Sequence, residues 1–179
     1  MSSMTAQDAP QTRTRTYSYA LAALDTGAAL RMSGLEYMRA LAAGEIGAPP
    51  SMITTLGLSN PLDLADGTAA FEADAADFLL NPMGAVHGGF AATLLDTVMG
   101  AAVHTSLAPG FGFTTSDLSV KYTRAIVPGT GRLRAEATVV HRGRQMATAQ
   151  GRVIGMADGK LYAHGTTTCL IFPLHPAKG

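Results

Sequence analysis

The chain has 179 residues, 47% of them hydrophobic, which is enough to bury one sizeable core and suits a single domain. Thirteen basic residues balance thirteen acidic ones and charged residues are only 15% of the chain, which excludes the electrostatic footprint of a nucleic-acid or anionic-membrane binder. A single cysteine, Cys169, excludes an intramolecular disulfide and a Cys-based metal site; in the strand-like run TTTCLIF it reads as a small buried hydrophobe.

Residues 1–30 read as a partly disordered tail, and residues 31–175 as one domain. The apolar run before Met32 is interrupted by Asp25, Gly27 and Arg31, so it fits neither a signal peptide nor a membrane span, and a cytoplasmic location is expected. SGLEYMRALAAGEIGAPP then predicts a short amphipathic helix. Ser33 caps it, Leu35, Met38 and Leu41 recur at helical spacing, and Gly44 with Pro49-Pro50 ends it. SMITTLGLS and GTAAFEADAA, on either side of the turn-rich NPLDLADG, read as two paired strands. From about Gly89 to Ser106 the chain is apolar nearly all round, which predicts a helix buried on most sides. Four further strands are expected in TTSDLSVKYTRAIVP, GRLRAEATVVHRG, RQMATAQGRVIGM and KLYAHGTTTCLIFP. Together these elements give an α+β architecture: a curved antiparallel sheet of about six strands around one central helix, with a short amino-terminal helical segment.

Metalloprotease, Cys-x-x-Cys, nucleophile-elbow, Walker and dinucleotide fingerprints are missing from the sequence. What remains is Asn81, His87, Gly88, Gly89 and Asp96. The two glycines stand where the buried helix begins, and a helix start offers free N–H groups and the positive end of the dipole. With no side chain at Gly88, a carbonyl can approach its N–H closely, as oxyanion stabilisation requires, although a simple turn needs glycines too. Asp96 lies within an apolar helix, where an unpaired carboxylate is costly, so it is expected to pair, face a cleft or cross an interface. Eight residues separate Gly88 from Asp96, about 12 Å along a helix, too far to grip one carbonyl together. A two-fold dimer with antiparallel helices would bring Gly88 of one subunit to Asp96 of the other, in two identical composite sites.

The combined pattern N-x-x-G-x-x-H-G-G-x(6)-D, present as NPMGAVHGGFAATLLD, resembles the hotdog-fold acyl-CoA thioesterases, in particular the phenylacetate-pathway branch. The resemblance covers roughly residues 50–172. It implies a sheet wrapped round a central helix, a homodimer with joined sheets and a plausible dimer of dimers, and hydrolysis of acyl-CoA thioesters with no metal or organic cofactor. By position, Asp96 resembles the catalytic carboxylate and Gly88 the oxyanion-binding amide. Asn81 and His87 resemble the residues that orient the thioester, and Thr115 a hydroxyl that helps place the water, with Thr114 or Ser116 as alternatives.

Asp96 would act either as general base toward water or as nucleophile through a mixed anhydride. For the coenzyme A phosphates the first candidates are Arg142 and Arg144, flanking Gly143 in HRGR; Lys121 and Arg124, near Tyr122, form a second set. Gly89, Phe90 and Leu95 are expected near the substrate. The acyl pocket is expected around Phe90, Leu94 and Leu95, with Tyr37 and Met38 beside it, and both medium aliphatic and aryl groups would fit. Two other readings are a non-catalytic acyl-CoA sensor and an acyl-CoA hydratase or dehydratase.

Overall fold

A computed structural model describes residues 12–21 and 24–175. The expected tail falls outside the described residues at positions 1–11 and 22–23. Residues 12–21 form no regular element and are exposed, and Arg15 tethers them: it donates to the Thr55 carbonyl at 2.7 Å and stacks over the Phe78 ring. Helix α1, Thr26–Arg31, starts at an Asp25 cap and buries Ala28 and Ala29 against Tyr37, so the last residues of the 1–30 segment are packed helix. Helix α2, Gly34–Ala42, has the capping box its sequence suggests: the Ser33 N–H donates to Glu36 at 2.8 Å and the Glu36 N–H to the Ser33 hydroxyl at 3.3 Å.

Helix α4, Gly88–Thr105, is the axis of the molecule. Leu94, Leu95, Val98, Met99, Ala102 and Val103 on it are fully buried, each large side chain contributing about 1.5–3 kcal/mol of transfer free energy. Around it lie strands β1, Leu62–Ala65, β2, Thr68–Asp74, β3, Phe111–Tyr122, β4, Arg132–Arg142, β5, Met146–Gly155, and β6, Leu161–Pro173. All pairings are antiparallel in the order β1-β2-β4-β5-β6-β3, and α4 touches every strand. The inner face of the sheet carries small residues, among them Ala135, Ala149 and Gly151. A Cβ at Gly151 would stand 2.9 Å from Met99, so the helix lies close against the strands.

Two expectations are corrected. SMITTL is not a strand but helix α3, Ser51–Leu56. Pro50 opens it, and Gly57, at φ 72°, ends it in the left-handed conformation that glycine adopts without strain. The strand that pairs with β2 is Leu62–Ala65, inside the segment read as turn. Its partner begins at Thr68, across the tight two-residue Asp66-Gly67 turn. The strand order departs from chain order at one place. β3 does not pair with β4, the next strand in sequence, but crosses to β6, and it forms one edge of the sheet with its outer backbone unpaired.

Candidate active site

The entry to α4 is built by its own loop. His87 is the N-cap, its Nδ1 accepting from the Gly89 N–H at 2.9 Å. That bond occupies the Gly89 amide and leaves the Gly88 N–H without an acceptor among the described residues, as expected for the first residue of a helix. Asn81 holds the preceding loop: its side-chain oxygen accepts from Met83 N–H at 2.9 Å and from Ala85 N–H at 3.2 Å. Asn81, Gly88, Tyr122 and Arg124 line one open groove of about 350 Å3. The Tyr122 ring covers Gly88 so closely that a Cβ there would lie 3.3 Å from it.

Two turns along α4 lies the second group. Asp96 is half-buried on the helix, and the Thr115 hydroxyl of β3 donates to its Oδ1 at 2.9 Å. Of the three candidate hydroxyls, Thr115 is the one that this bond ties to Asp96. It rests on a bulge, because Ser116 is an extra residue between the β3–β6 pairs Thr115↔Cys169 and Asp117↔Thr168. Cys169 is fully buried beside Thr115, and burial pushes its thiol above the ordinary value.

One chain therefore carries the predicted residues as two separate groups. The amide groove at the start of α4 and the carboxylate–hydroxyl pair at its middle do not meet within one chain, as the helical spacing requires.

Other assignments move. Leu95 is fully buried and points into the sheet, where its δ-carbons stand 3.3 Å and 3.5 Å from the Cβ positions of Gly151 and Gly165. Leu94 and Phe90 are likewise core residues. Arg142 donates to the Ser106 carbonyl at the far end of α4, closing the helix with a cation, and Gly143 donates to the Met146 carbonyl at 2.8 Å in the β4–β5 turn with exposed Arg144 beside it. The HRGR turn thus sits at the opposite end of the helix from Gly88, whereas Arg124 shares the groove with Gly88.

An apolar cavity lies elsewhere, between α2, α3, α4 and β3. It measures about 370 Å3 and is walled by Tyr37, Met38, Ile53, Thr97, Ala101, His104 and Phe113, among others. Tyr37 and Met38 are expected there; Thr97, Ala101 and His104 are not, although their i, i+4, i+7 spacing places them on one helical stripe beside Asp96. His104 lies between aromatic rings, 5.3 Å from Tyr37 and 5.6 Å from Phe113, and burial lowers its pKa to about 4.

Residues 83–159 match the family model described as the Thioesterase superfamily. A phenylacetic acid degradation-related protein from Ralstonia eutropha JMP134 is 31% identical in sequence and has a TM-score of 0.68, covering 75% of this chain and 98% of its own. The chain belongs to the thioesterase superfamily. Its α4 and six-stranded sheet are the hotdog fold of that superfamily. The PaaI protein of the E. coli phenylacetic acid degradation operon, at 20% identity and a TM-score of 0.67, covers 80% of this chain and 99% of its own and shares the fold. In sequence, a Halobacterium salinarum protein designated "putative esterase" is 43% identical over 42% of this chain and 49% of its own. A second protein so designated, from Caenorhabditis elegans, is 33% identical over 54% and 56%. The chain thus spans about half the length of these two relatives. No described helix of this superfamily member is long and apolar enough to cross a membrane.

Proposed function

We propose that the chain hydrolyses acyl-CoA thioesters to free acid and coenzyme A, with Asp96 as base or nucleophile and the Gly88 N–H of a partner subunit as oxyanion donor. The observation that carries this reading is the 2.9 Å bond from Thr115 to Asp96. It holds the one acid of helix α4, half-buried, with its second oxygen unengaged among the described residues. Superfamily membership supports thioester hydrolysis as the reaction.

The thioester carbonyl accepts from Gly88 N–H, where the helix dipole adds to the stabilisation of developing negative charge. Asp96 takes a proton from water as the water attacks the carbonyl carbon, or attacks that carbon itself to form a mixed anhydride, which water then cleaves to the free acid and the restored Asp96 carboxylate. The thiolate leaves in either route, and a thiolate needs little further assistance. Thr115 is a positioning residue: its hydroxyl points one carboxylate oxygen and leaves the other for the reaction. Asn81 and His87 hold the loop that aims the Gly88 N–H.

Arg124, in the groove with Gly88 and Tyr122, is the better candidate for a coenzyme A phosphate, since Arg142 is engaged with the helix end. A homodimer is supported by β3, a twelve-residue edge strand whose outer backbone is unpaired and whose central residues are exposed. Residues 31–175 are proposed as the working domain, in a cytoplasmic setting that suits the one unpaired cysteine.

The test is free-thiol release over a panel of acyl-CoAs. Wild type should turn over at least one of them, and Asp96→Asn should lose a factor of about 100 or more in kcat with binding retained. Tight acyl-CoA binding without turnover on any thioester would identify a sensor instead.

A further inference from the structure

The lining of the apolar cavity of about 370 Å3 includes Thr97, the residue after Asp96, and Phe113, two residues before Thr115 on β3. Its α4 wall is Thr97, Ala101 and His104, a stripe that starts next to Asp96. Seven residues separate Thr97 from His104, so the wall is about 10 Å long. Gly34 fixes the opposite side. Its N–H donates to the Leu107 carbonyl at 2.9 Å, and a Cβ there would fall 1.7 Å from the His104 carbonyl, so α2 is held directly against the end of α4. That contact brings Tyr37 over the His104 ring.

We propose that this cavity receives the acyl group of the thioester, that the group is an aliphatic chain of medium length, and that His104 sets where the chain ends. The proposal rests on the hydrolase reading of Asp96. A fully extended chain of single bonds advances about 1.2 Å per bond, as the peptide backbone does, so a 10 Å wall holds about eight carbons beyond the reacting carbonyl. An aryl-acetyl group would reach little beyond Ala101 and leave the Tyr37–His104 end without partner atoms, forfeiting the dispersion contacts that reward a filled pocket. A charged acyl terminus is disfavoured as well. The wall offers it only neutral groups, and burying an unpaired charge among Met38, Ile53 and Phe113 is costly.

The experiment measures kcat/KM on straight-chain acyl-CoAs from acetyl to palmitoyl, with phenylacetyl-CoA included, for wild type, Ala101→Leu and His104→Ala. Wild type should peak near octanoyl to decanoyl. Ala101→Leu fills the channel halfway and should lower the decanoyl-to-butanoyl ratio of kcat/KM by a factor of about ten or more. His104→Ala removes the end wall and should move the optimum to longer chains. Ala101→Val makes the same test with a smaller side chain if Ala101→Leu fails to fold.

A preference for phenylacetyl-CoA, or a length profile that neither substitution moves while thiol release persists, overturns the cavity assignment and leaves the hydrolase standing. If no thioester is turned over, the hydrolase reading fails by itself, and calorimetric titration with octanoyl-CoA decides the cavity. Binding weakened tenfold or more by Ala101→Leu supports it, and unchanged binding overturns it.

Discussion

Thr115 and Asp96 form the smallest unit of the proposed chemistry. A hydrogen bond to a charged group is worth about 1.5–3 kcal/mol, so Thr115→Val, which keeps the side-chain shape and deletes the donor, should lower kcat about 10- to 100-fold. KM should move little, and Thr115→Ser should restore most of the rate; equal rates for the Val and Ser variants would show that the hydroxyl does not position the carboxylate. His104 makes a different claim. Its ordinary pKa of about 6.5 is lowered to about 4 by burial, so between these values the unfolded chain binds a proton that the folded chain refuses. The resulting stability is fully present above about pH 6.5 and is lost as pH falls toward 4, about 3 kcal/mol in all. Denaturant unfolding at pH 7 and pH 4.5 should show a smaller acid-induced loss for His104→Gln than for wild type, by about 2–3 kcal/mol. Legibility at this scale followed chemistry that is rare in its local context. One acid in an apolar helix and two glycines before it stand out, so Asp96 and Gly88 were readable as candidates. Arg142 was not, because its partner is a backbone carbonyl 36 positions away, and main-chain acceptors leave no mark in a sequence. His104 went unnoticed because a histidine in the last turn of a helix also suits the dipole.

At the scale of elements, α4 is legible because its apolar character extends round most of the helix, while α3 reads as a strand because Ile53, Thr54 and Thr55 favour one by local preference alone. Six residues give too little periodicity to decide, and the ends decided instead: Pro50 before and a left-handed Gly57 after. The Asp66-Gly67 turn was the better hairpin signal. The pairing of β3 with β6 was unreadable, since short connections favour sequential neighbours and only the closure of the sheet around α4 selects the crossing. One element-level consequence is testable. If Gly88 of one helix faces Asp96 of an antiparallel partner, the two-fold axis passes at the level of Ala92, midway between them. Ala92 is half-buried in the single chain, so a long charged side chain there would be tolerated by the monomer and not by two helices in contact. Ala92→Arg should therefore give a folded monomer by analytical ultracentrifugation with thiol release near background. A stable dimer of this variant with full activity would place the axis elsewhere.

For the whole molecule the question is whether one chain holds a complete site. The two groups of residues at the start and middle of α4 stay apart in the fold, and an oligomer can unite them only by exchanging halves between subunits. Gly88→Pro separates the donor from the backbone around it. Proline is at home at the first position of a helix and lacks the N–H, and His87, at φ −59° and ψ 134°, already has the conformation favoured before proline. Gly88→Ala serves as the steric control, because it keeps the N–H while presenting the same close contact to Tyr122. Gly88→Pro should lose about 100- to 1000-fold in kcat, as the removal of an oxyanion donor does, with Gly88→Ala losing much less. Unfolding and remixing Gly88→Pro with Asp96→Ala in equal amounts should then restore activity. Random pairing makes half of the dimers mixed, each with one intact site, so the mixture should recover about a quarter of the wild-type rate. A site made within one chain predicts no recovery at any mixing ratio, which would return Gly88 to the role of a turn residue and leave Asp96 to work with a different donor.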